Sequence, residues 1–207
     1  MEPSSIVTPA RLAKVHAALG QRMGSVVAVI EAVRRRHNAS ALVRTCEAFG
    51  VHEVHLITAF FKPSVGAARG AERWVHTRIF PTVRESIDDL HARGFAVYVA
   101  DLAEGAFTPE TVPVDKPIAL LFGSEVRGVS AEARALADGA VMIPMRGLTE
   151  SLNVSVSGAI LLRAAADRRR ALVGNDLPEA EKQRFVAQWL AREESGRRGL
   201  KARATSG

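Results

Sequence analysis

The chain has 207 residues, of which 47% are apolar and 24% charged, a balance typical of a globular protein that can bury a full core. No apolar run reaches the roughly 18 residues that span a bilayer, and residues 1–20 hold no apolar signal core, so we expect neither a membrane protein nor a secreted one. Cys46 is the only cysteine, which excludes disulfides within the chain and cysteine-rich zinc sites and favours a cytoplasmic protein.

The positive charge is concentrated near the C-terminus. The net charge is +6, and residues 163–207 hold 11 Lys or Arg against 6 Asp or Glu, whereas the other 162 residues hold 17 against 16. A basic extension on a near-neutral body favours a polyanionic partner, nucleic acid first, because neutralising phosphates releases counterions. A solvated, soluble tail explains the charge equally well.

Predicted helices and strands alternate along the chain. Thr8 and Pro9 open a helix that runs to about Gly20 and carries Arg11 and Lys14 on its polar side. A strand covered on both faces (25–33) comes next, followed by a helix with an apolar stripe within 34–50, a strand (51–57), a loop and a helix (82–94). The strands "FAVYVA", "IALLF" and "AVMIPM" follow, with a helix (130–137) between the last two. The chain ends with a helix within 148–170, a charged helix from about 178 to 194, and a flexible tail. This alternation predicts an α/β fold, a mostly parallel sheet flanked by helices on both faces.

Several common enzyme signatures are missing from the sequence. No G-x-G-x-x-G or P-loop follows the first strand, which disfavours Rossmann cofactor binding and P-loop hydrolysis of nucleotides. No H-E-x-x-H, C-x-x-C or G-x-S-x-G occurs, and the six histidines are scattered, so we expect no metal site.

Three other clusters are candidates for chemistry. In "HNASALVRT", Asn38 stands where a helix begins and Arg44 lies off the apolar stripe. In "LLFGSEVRGVS", a buried strand ends at Gly123, with Glu125 and Gly128 beyond it, at the end of a strand where open α/β sheets bind ligands. A solvated arginine and a glycine-rich turn with an exposed glutamate are the plainer interpretations.

The third cluster, "IPMRGLTESLNVSVS", repeats this design with a polar helix start. Ser151 and Asn153 either cap the helix or face a ligand, since a helix N-terminus attracts anions and polar groups. The cluster by itself does not distinguish these interpretations.

Together and in this order, the three clusters resemble the signature motifs of the SpoU branch of the SPOUT superfamily, the knotted RNA 2′-O-ribose methyltransferases, over roughly residues 26–165. The short N-terminal helix, the absence of a separate N-terminal domain, and "LPEAEKQR" resemble the TrmH type, which methylates guanosine 18 of tRNA. The resemblance implies three segments: an N-terminal helical extension (1–22), a catalytic domain with a C-terminal deep trefoil knot (23–172), and a basic C-terminal helix and tail (173–207).

The resemblance also implies roles for particular residues. The catalytic positions are Arg44, Asn38, Glu125, Ser151 and Asn153, with Arg44 activating or steering the ribose hydroxyl. Backbone groups at Ala100, Gly123, Ile143 and Leu152 would hold the adenine of S-adenosylmethionine. Contacts to the tRNA backbone are expected from Arg11, Lys14, Arg168, Arg169 and Arg170.

The function implied by the resemblance is S-adenosylmethionine-dependent 2′-O-methylation of tRNA by a cytoplasmic homodimer that packs through the knot, with no membrane or DNA partner. Two alternatives stay open. The same chemistry can act on ribosomal RNA or on the wobble ribose of tRNA, and an RNA-binding factor can keep the fold without catalysis.

Overall fold

A computed structural model of the protein describes residues 7–31, 36–57, 70–124 and 126–204, with side chains at 7–31, 37–57, 70–124 and 126–193. The chain divides into two compact units. The larger unit is Met23–Asp176, and the smaller one combines the residues up to Arg22 with those from Leu177 onward.

The larger unit is built on a six-stranded sheet in which every described strand pairing is parallel. The strands are β1 (Met23–Glu31), β2 (Val51–Ile57), β3 (His76–Phe80), β4 (Ala96–Ala100), β5 (Ile118–Phe122) and β6 (Gly139–Val141). Their order across the sheet is β3-β2-β1-β5-β4-β6. The predicted α/β class with a mostly parallel sheet is confirmed.

Six helices accompany the sheet in the described part of the chain. They are α1 (Pro9–Leu19), α2 (Arg36–Phe49), α3 (Val83–Ala92), α4 (Ala131–Leu136), α5 (Val154–Val173) and α6 (Glu179–Ala204), with a 3₁₀ turn at Ala71–Arg73. Threonine or serine caps three of them where the sequence predicts a helix start: Thr8 for α1, Thr82 for α3 and Ser130 for α4.

Helices cover both faces of the sheet, which explains the continuous apolar run of β1. Val26, Ala28 and Ile30 point to a core that includes residues of α2 and α5. The alternate residues Val27 and Val29 point to a second core that includes residues of α3 and α4. A central parallel strand that is buried on both faces has no solvent-exposed face, so its sequence lacks the alternation of polar and apolar residues.

Three elements differ from their predictions. A loop is predicted where β3 forms. This edge strand is only partly buried, and its residues "HTRIF" show no apolar alternation that would indicate a strand. The strand expected over "AVMIPM" ends at Val141, and the remaining residues connect to α5. The tail expected to be flexible continues α6 as a helix to Ala204.

The smaller unit pairs α1 with α6. Val15 and Leu19 of α1, and Phe185 and Trp189 of α6, are buried. No helix in the described part of the chain is both long enough and apolar enough to cross a membrane.

Candidate active site

A cleft opens at the carboxyl edge of the sheet, beside the point where strand order reverses. Strands β2 and β3 lie on one side of β1, whereas β5, β4 and β6 lie on its other side. Open parallel sheets bind ligands at such reversal points. The cleft has a volume of about 630 Å³ and is lined by residues that follow β4, β5 and β6 and by the start of α5. This volume falls within the range of small-molecule and cofactor sites.

All four positions expected to hold the cofactor line this one cleft: Ala100, Gly123, Ile143 and Leu152. They come from three loops that are far apart in sequence and that the parallel strands bring to one edge. Phe122, Val141 and Leu161 add apolar surface. The cleft therefore combines apolar surface with polar groups from its loops, a combination that suits an adenine ring.

Gly123 is required by the protein backbone. A Cβ atom at this position would lie 2.2 Å from backbone atoms of Gly128 and Val129, far inside van der Waals contact. Ser124 and Gly128 exchange two backbone hydrogen bonds of 2.9 Å that close the loop over Gly123. The glycine is therefore required by the close approach of the loop itself. Glu125 lies outside the described residues.

The starts of α2 and α5 meet beside the cleft. Asn38 of α2 is 5% exposed, and its Oδ1 lies 3.5 Å from the Nδ2 donor of Asn153, a long hydrogen bond that joins the first and third motifs. Asn153 also caps α5, because its Oδ1 accepts from the backbone N–H of Ser155 at 2.8 Å and from its hydroxyl at 2.6 Å.

Ser151 is not the cap of α5. It lies two residues before the cap, is exposed and lines the cleft. Asn153 both caps the helix and lines the cleft, so the two explanations of the polar helix start hold together at Asn153, whereas only the ligand-facing one applies to Ser151.

Arg44 stands alone on the exposed side of α2. The buried residues Leu42, Val43 and Cys46 form the stripe that packs on the sheet, and Arg44 lies off it, as the helical period predicts. Its guanidinium forms no ion pair with any described carboxylate and does not line the cleft of its own chain. Arg44 is thus available to a group brought from outside the chain.

The three consecutive arginines near the end of α5, which are predicted to contact RNA, form hydrogen bonds within the fold. Arg169 is 8% exposed, and its guanidinium donates to Ser25 Oγ (3.0 Å) and to the carbonyls of Val114 (3.0 Å) and Asp115 (2.7 Å). It ties α5 to β1 and to the segment before β5.

Arg168 and Arg170 are bound in a similar way. Arg168 donates to the carbonyls of Pro109 (3.2 Å) and Val112 (2.6 Å). Arg170 donates to the carbonyl of Phe49 at 3.0 Å, at the C-terminal end of α2, and to Asn175 Oδ1 at 2.8 Å. In a sequence, a run of arginines at the end of a helix is typical of a basic surface. Hydrogen bonds from such arginines to carbonyls far away in the chain cannot be recognised from the sequence.

The two predicted RNA contacts of α1 are exposed. The Arg11 guanidinium lies 5.6 Å from the centre of the Trp189 ring and 3.8 Å from the Glu193 carboxylate. Lys14 is exposed on the same helix. Both remain available to a polyanion.

Charged groups also brace the wall of the cleft. Arg134 of α4 forms an ion pair with Asp101, a cleft residue, and this hydrogen bond raises the pKa of Arg134. The buried Glu31 carboxylate accepts the backbone N–H of Ser130 at 2.9 Å and so holds the loop after β5 against the end of β1. None of these residues is predicted from the sequence, because neither pairing produces a local sequence pattern.

A second polar cluster lies on β2, β3 and α3. Ligand atoms of Glu53, His55 and Asp89 lie within 4.8 Å of one another. His55 Nε2 donates to Glu53 at 2.7 Å, and Arg78 and Arg93 neutralise the two carboxylates. Burial raises the pKa of Glu53, but hydrogen bonds from His55 and Arg93 outweigh it and hold the pKa well below its usual value of 4.5. The cluster is an ion-pair network in which the ligand atoms already have partners.

A parallel α/β sheet whose reversal point opens into a cofactor-sized cleft, with two asparagines beside it, is the arrangement of a cofactor-dependent enzyme. The chain belongs to the SpoU rRNA Methylase family, whose model matches residues 25–163.

Known proteins resemble the chain over most of its length. The tRNA (guanosine(18)-2′-O)-methyltransferase of Thermus thermophilus is 39% identical over 192 residues, which cover 88% of this chain and 97% of that one. The crystal structure of the A. aeolicus TrmH/SpoU tRNA modifying enzyme matches with a TM-score of 0.81 at 31% identity, covering 89% of this chain and 96% of that one. The Streptomyces viridochromogenes SpoU methyltransferase AviRb, in complex with the cofactor AdoMet, shares the fold with a TM-score of 0.62 at 24% identity, covering 70% and 60% of the two chains.

Proposed function

We propose that this protein transfers a methyl group from S-adenosylmethionine to the ribose 2′-oxygen of guanosine 18 in tRNA. The observation that carries the proposal is the match to the Thermus thermophilus enzyme of that activity over 97% of that enzyme's length. The convergence of the motif residues Gly123, Ile143 and Ser151 on one cleft, with Asn38 beside it, supports the same chemistry.

The cleft fits S-adenosylmethionine. Its apolar lining suits the adenine, and a backbone contact at Ala100 needs no side-chain hydroxyl. The Glu150 carboxylate also lines it and favours a ligand that carries positive charge, whereas Asp101 is neutralised by Arg134. The cofactor supplies a methyl group activated on a sulfonium, and Ala100, Gly123, Ile143 and Leu152 hold and orient it.

Arg44 and Asn38 act on the ribose. A guanidinium does not give up its proton in proteins, so Arg44 steers the 2′-oxygen and clamps the neighbouring phosphate. The 2′-oxygen would take the methyl group as its bond to the sulfonium sulfur breaks, which would leave S-adenosylhomocysteine, and the hydroxyl proton would pass to phosphate or water. Asn38 and Asn153 orient the ribose or Arg44, Ser151 contacts the substrate side of the cleft, and Glu125 supports the site.

The C-terminal part of the catalytic domain, residues 23–172, is threaded as a deep trefoil knot in this proposal. The path of the chain supports it: β6 lies at the sheet edge beyond β4, yet the next helix, α5, packs against α2, β1 and β5. The connecting residues 142–153 cross the carboxyl edge, where they share the cleft with the loop after β5.

The active form is a homodimer that packs through this region, in the cytoplasm. Val156 and Ile160 of α5 are 45% and 39% exposed, and Leu152, two residues before the helix, is 36% exposed. The three recur every four residues and form an apolar stripe at the start of α5. A second copy covering this stripe buries it and brings its Arg44 to the cleft. The segments 1–22 and 173–207 are the helical extensions of the domain, and Arg11 and Lys14 contact the tRNA backbone.

The test offers the purified protein an unmodified tRNA transcript and, separately, a ribosomal RNA transcript, each with labelled S-adenosylmethionine, and maps the methylated nucleoside. We expect 2′-O-methylguanosine at position 18. Label at the wobble ribose, label only in ribosomal RNA, or tRNA binding without methylation would each overturn the proposal in favour of one of the alternatives.

A further inference from the structure

The described arginines of the larger unit fall into two groups. Eight are engaged by carboxylates or carbonyls of the same unit: Arg78, Arg84, Arg93, Arg134, Arg163, Arg168, Arg169 and Arg170. Four are exposed and pair with no described carboxylate: Arg44, Arg73, Arg127 and Arg146. Among the described arginines of this unit, only the second group carries charge that no described carboxylate neutralises.

Two members of that group stand at the mouth of the cleft. Arg127 lies between Val126 and Gly128, which both line the cleft, and Arg146 directly follows the lining residue Met145. Their loops follow β5 and β6, and the carboxyl ends of parallel strands share one edge of the sheet. Arg127 and Arg146 therefore stand beside the same opening.

The backbone that carries Arg127 is held in place. The two hydrogen bonds between Ser124 and Gly128 close its loop, and Ser124 Oγ accepts the backbone N–H of Arg127 at 3.1 Å. A guanidinium on a fixed turn loses less freedom on binding than one on a mobile tail.

We propose that Arg127 and Arg146 bind the RNA phosphates on either side of the target ribose. A ribose presented to the cleft brings a phosphate on each side to the mouth, and exposed guanidinium groups bind phosphate oxygens bidentately. Glu150, which lines the cleft, repels phosphate and restricts it to the rim. This inference rests on the proposed function and adds phosphate contacts at the cleft mouth to the predicted tRNA contacts.

The experiment compares Arg127→Gln, Arg146→Gln and the double variant with Lys116→Gln. Lys116 is exposed but precedes β5, so it lies at the amino edge of the sheet, opposite the cleft, and its loss removes the same charge. Binding of a tRNA transcript is measured from 50 to 300 mM salt, and KM is measured separately for tRNA and for S-adenosylmethionine.

We expect each cleft variant to reduce the slope of log binding constant against log salt by about 1 and the double variant by about 2. The KM for tRNA should rise about tenfold per arginine, the strength of a charged hydrogen bond, while the KM for the cofactor stays within about twofold. Lys116→Gln should keep the wild-type slope.

Wild-type slopes in both cleft variants, or an equal loss in Lys116→Gln, would overturn the inference. Unchanged melting temperatures show that the variants are folded. The readout also separates this inference from the proposed function. A wild-type protein that methylates tRNA while the variants keep its slope refutes only the phosphate contacts. A protein that binds tRNA with the expected slopes but methylates another position refutes only the assignment of guanosine 18.

Discussion

Gly158→Ala should destabilise the protein although alanine is the better helix former. Gly158 lies in the middle of α5, where alanine would favour the helix by about 1 kcal/mol. Its added Cβ would lie 2.0 Å from Cδ2 of Leu42, a fully buried residue of α2, with a Phe122 ring carbon 3.8 Å from the same Cβ. Overpacking of this kind costs about 1–3 kcal/mol, so we expect a net loss of about 1 kcal/mol in the free energy of unfolding.

The sign of that change depends on Leu42 and can be reversed. Leu42→Ala should itself cost about 2–5 kcal/mol, but in that background Gly158→Ala meets open space and should stabilise by about 1 kcal/mol. Urea unfolding of the wild type, both single variants and the double variant measures the four free energies. If Gly158→Ala stabilises the wild-type background, or changes both backgrounds equally, the close packing of α2 on α5 does not explain why glycine is needed at this position.

Three further predictions concern the site and its supports. Asn153→Ala removes the α5 cap and should lower the free energy of unfolding by about 1 kcal/mol, measured in urea; an unchanged value would contradict the cap. The free energy of unfolding of the wild type should fall as pH drops below about 4.5, because the Glu53 carboxylate is protonated in the unfolded state at a higher pH than in the folded state. Glu53→Gln should make this fall smaller, and a parallel fall in both proteins would refute the role of Glu53. Arg44→Lys should lower kcat about a hundredfold or more with cofactor affinity unchanged in calorimetry, and wild-type kcat would exclude its role.

Local patterns are sufficient to predict most of the fold. The caps Thr8, Thr82 and Ser130 and the two-faced apolar run of β1 each act over a few residues, so periodicity reveals them. The sequence does not reveal β3, because an edge strand pairs on one side and buries little, which leaves its sequence polar. Nor does it reveal the continuation of α6 beyond Glu194, because those residues lack an apolar period.

At the site, motif order predicts which residues meet but not what each one does. Residues as distant as Ala100 and Leu152 line one cleft, as expected. Which of the two cleft residues Ser151 and Asn153 caps α5 depends on backbone geometry at a single turn. The hydrogen bonds of Arg169 cannot be predicted from the sequence, because its carbonyl partners lie 54 and 55 residues away, beyond any local pattern.

The most direct test of the central claim, transfer of a methyl group to one ribose oxygen, uses two tRNA transcripts that differ in a single atom. One carries guanosine at position 18 and the other carries 2′-deoxyguanosine there, so the base, the fold and the phosphates of the tRNA are retained. We predict stoichiometric methyl incorporation into the first transcript and none into the second, with equal binding of both. Equal incorporation into both transcripts would contradict the account.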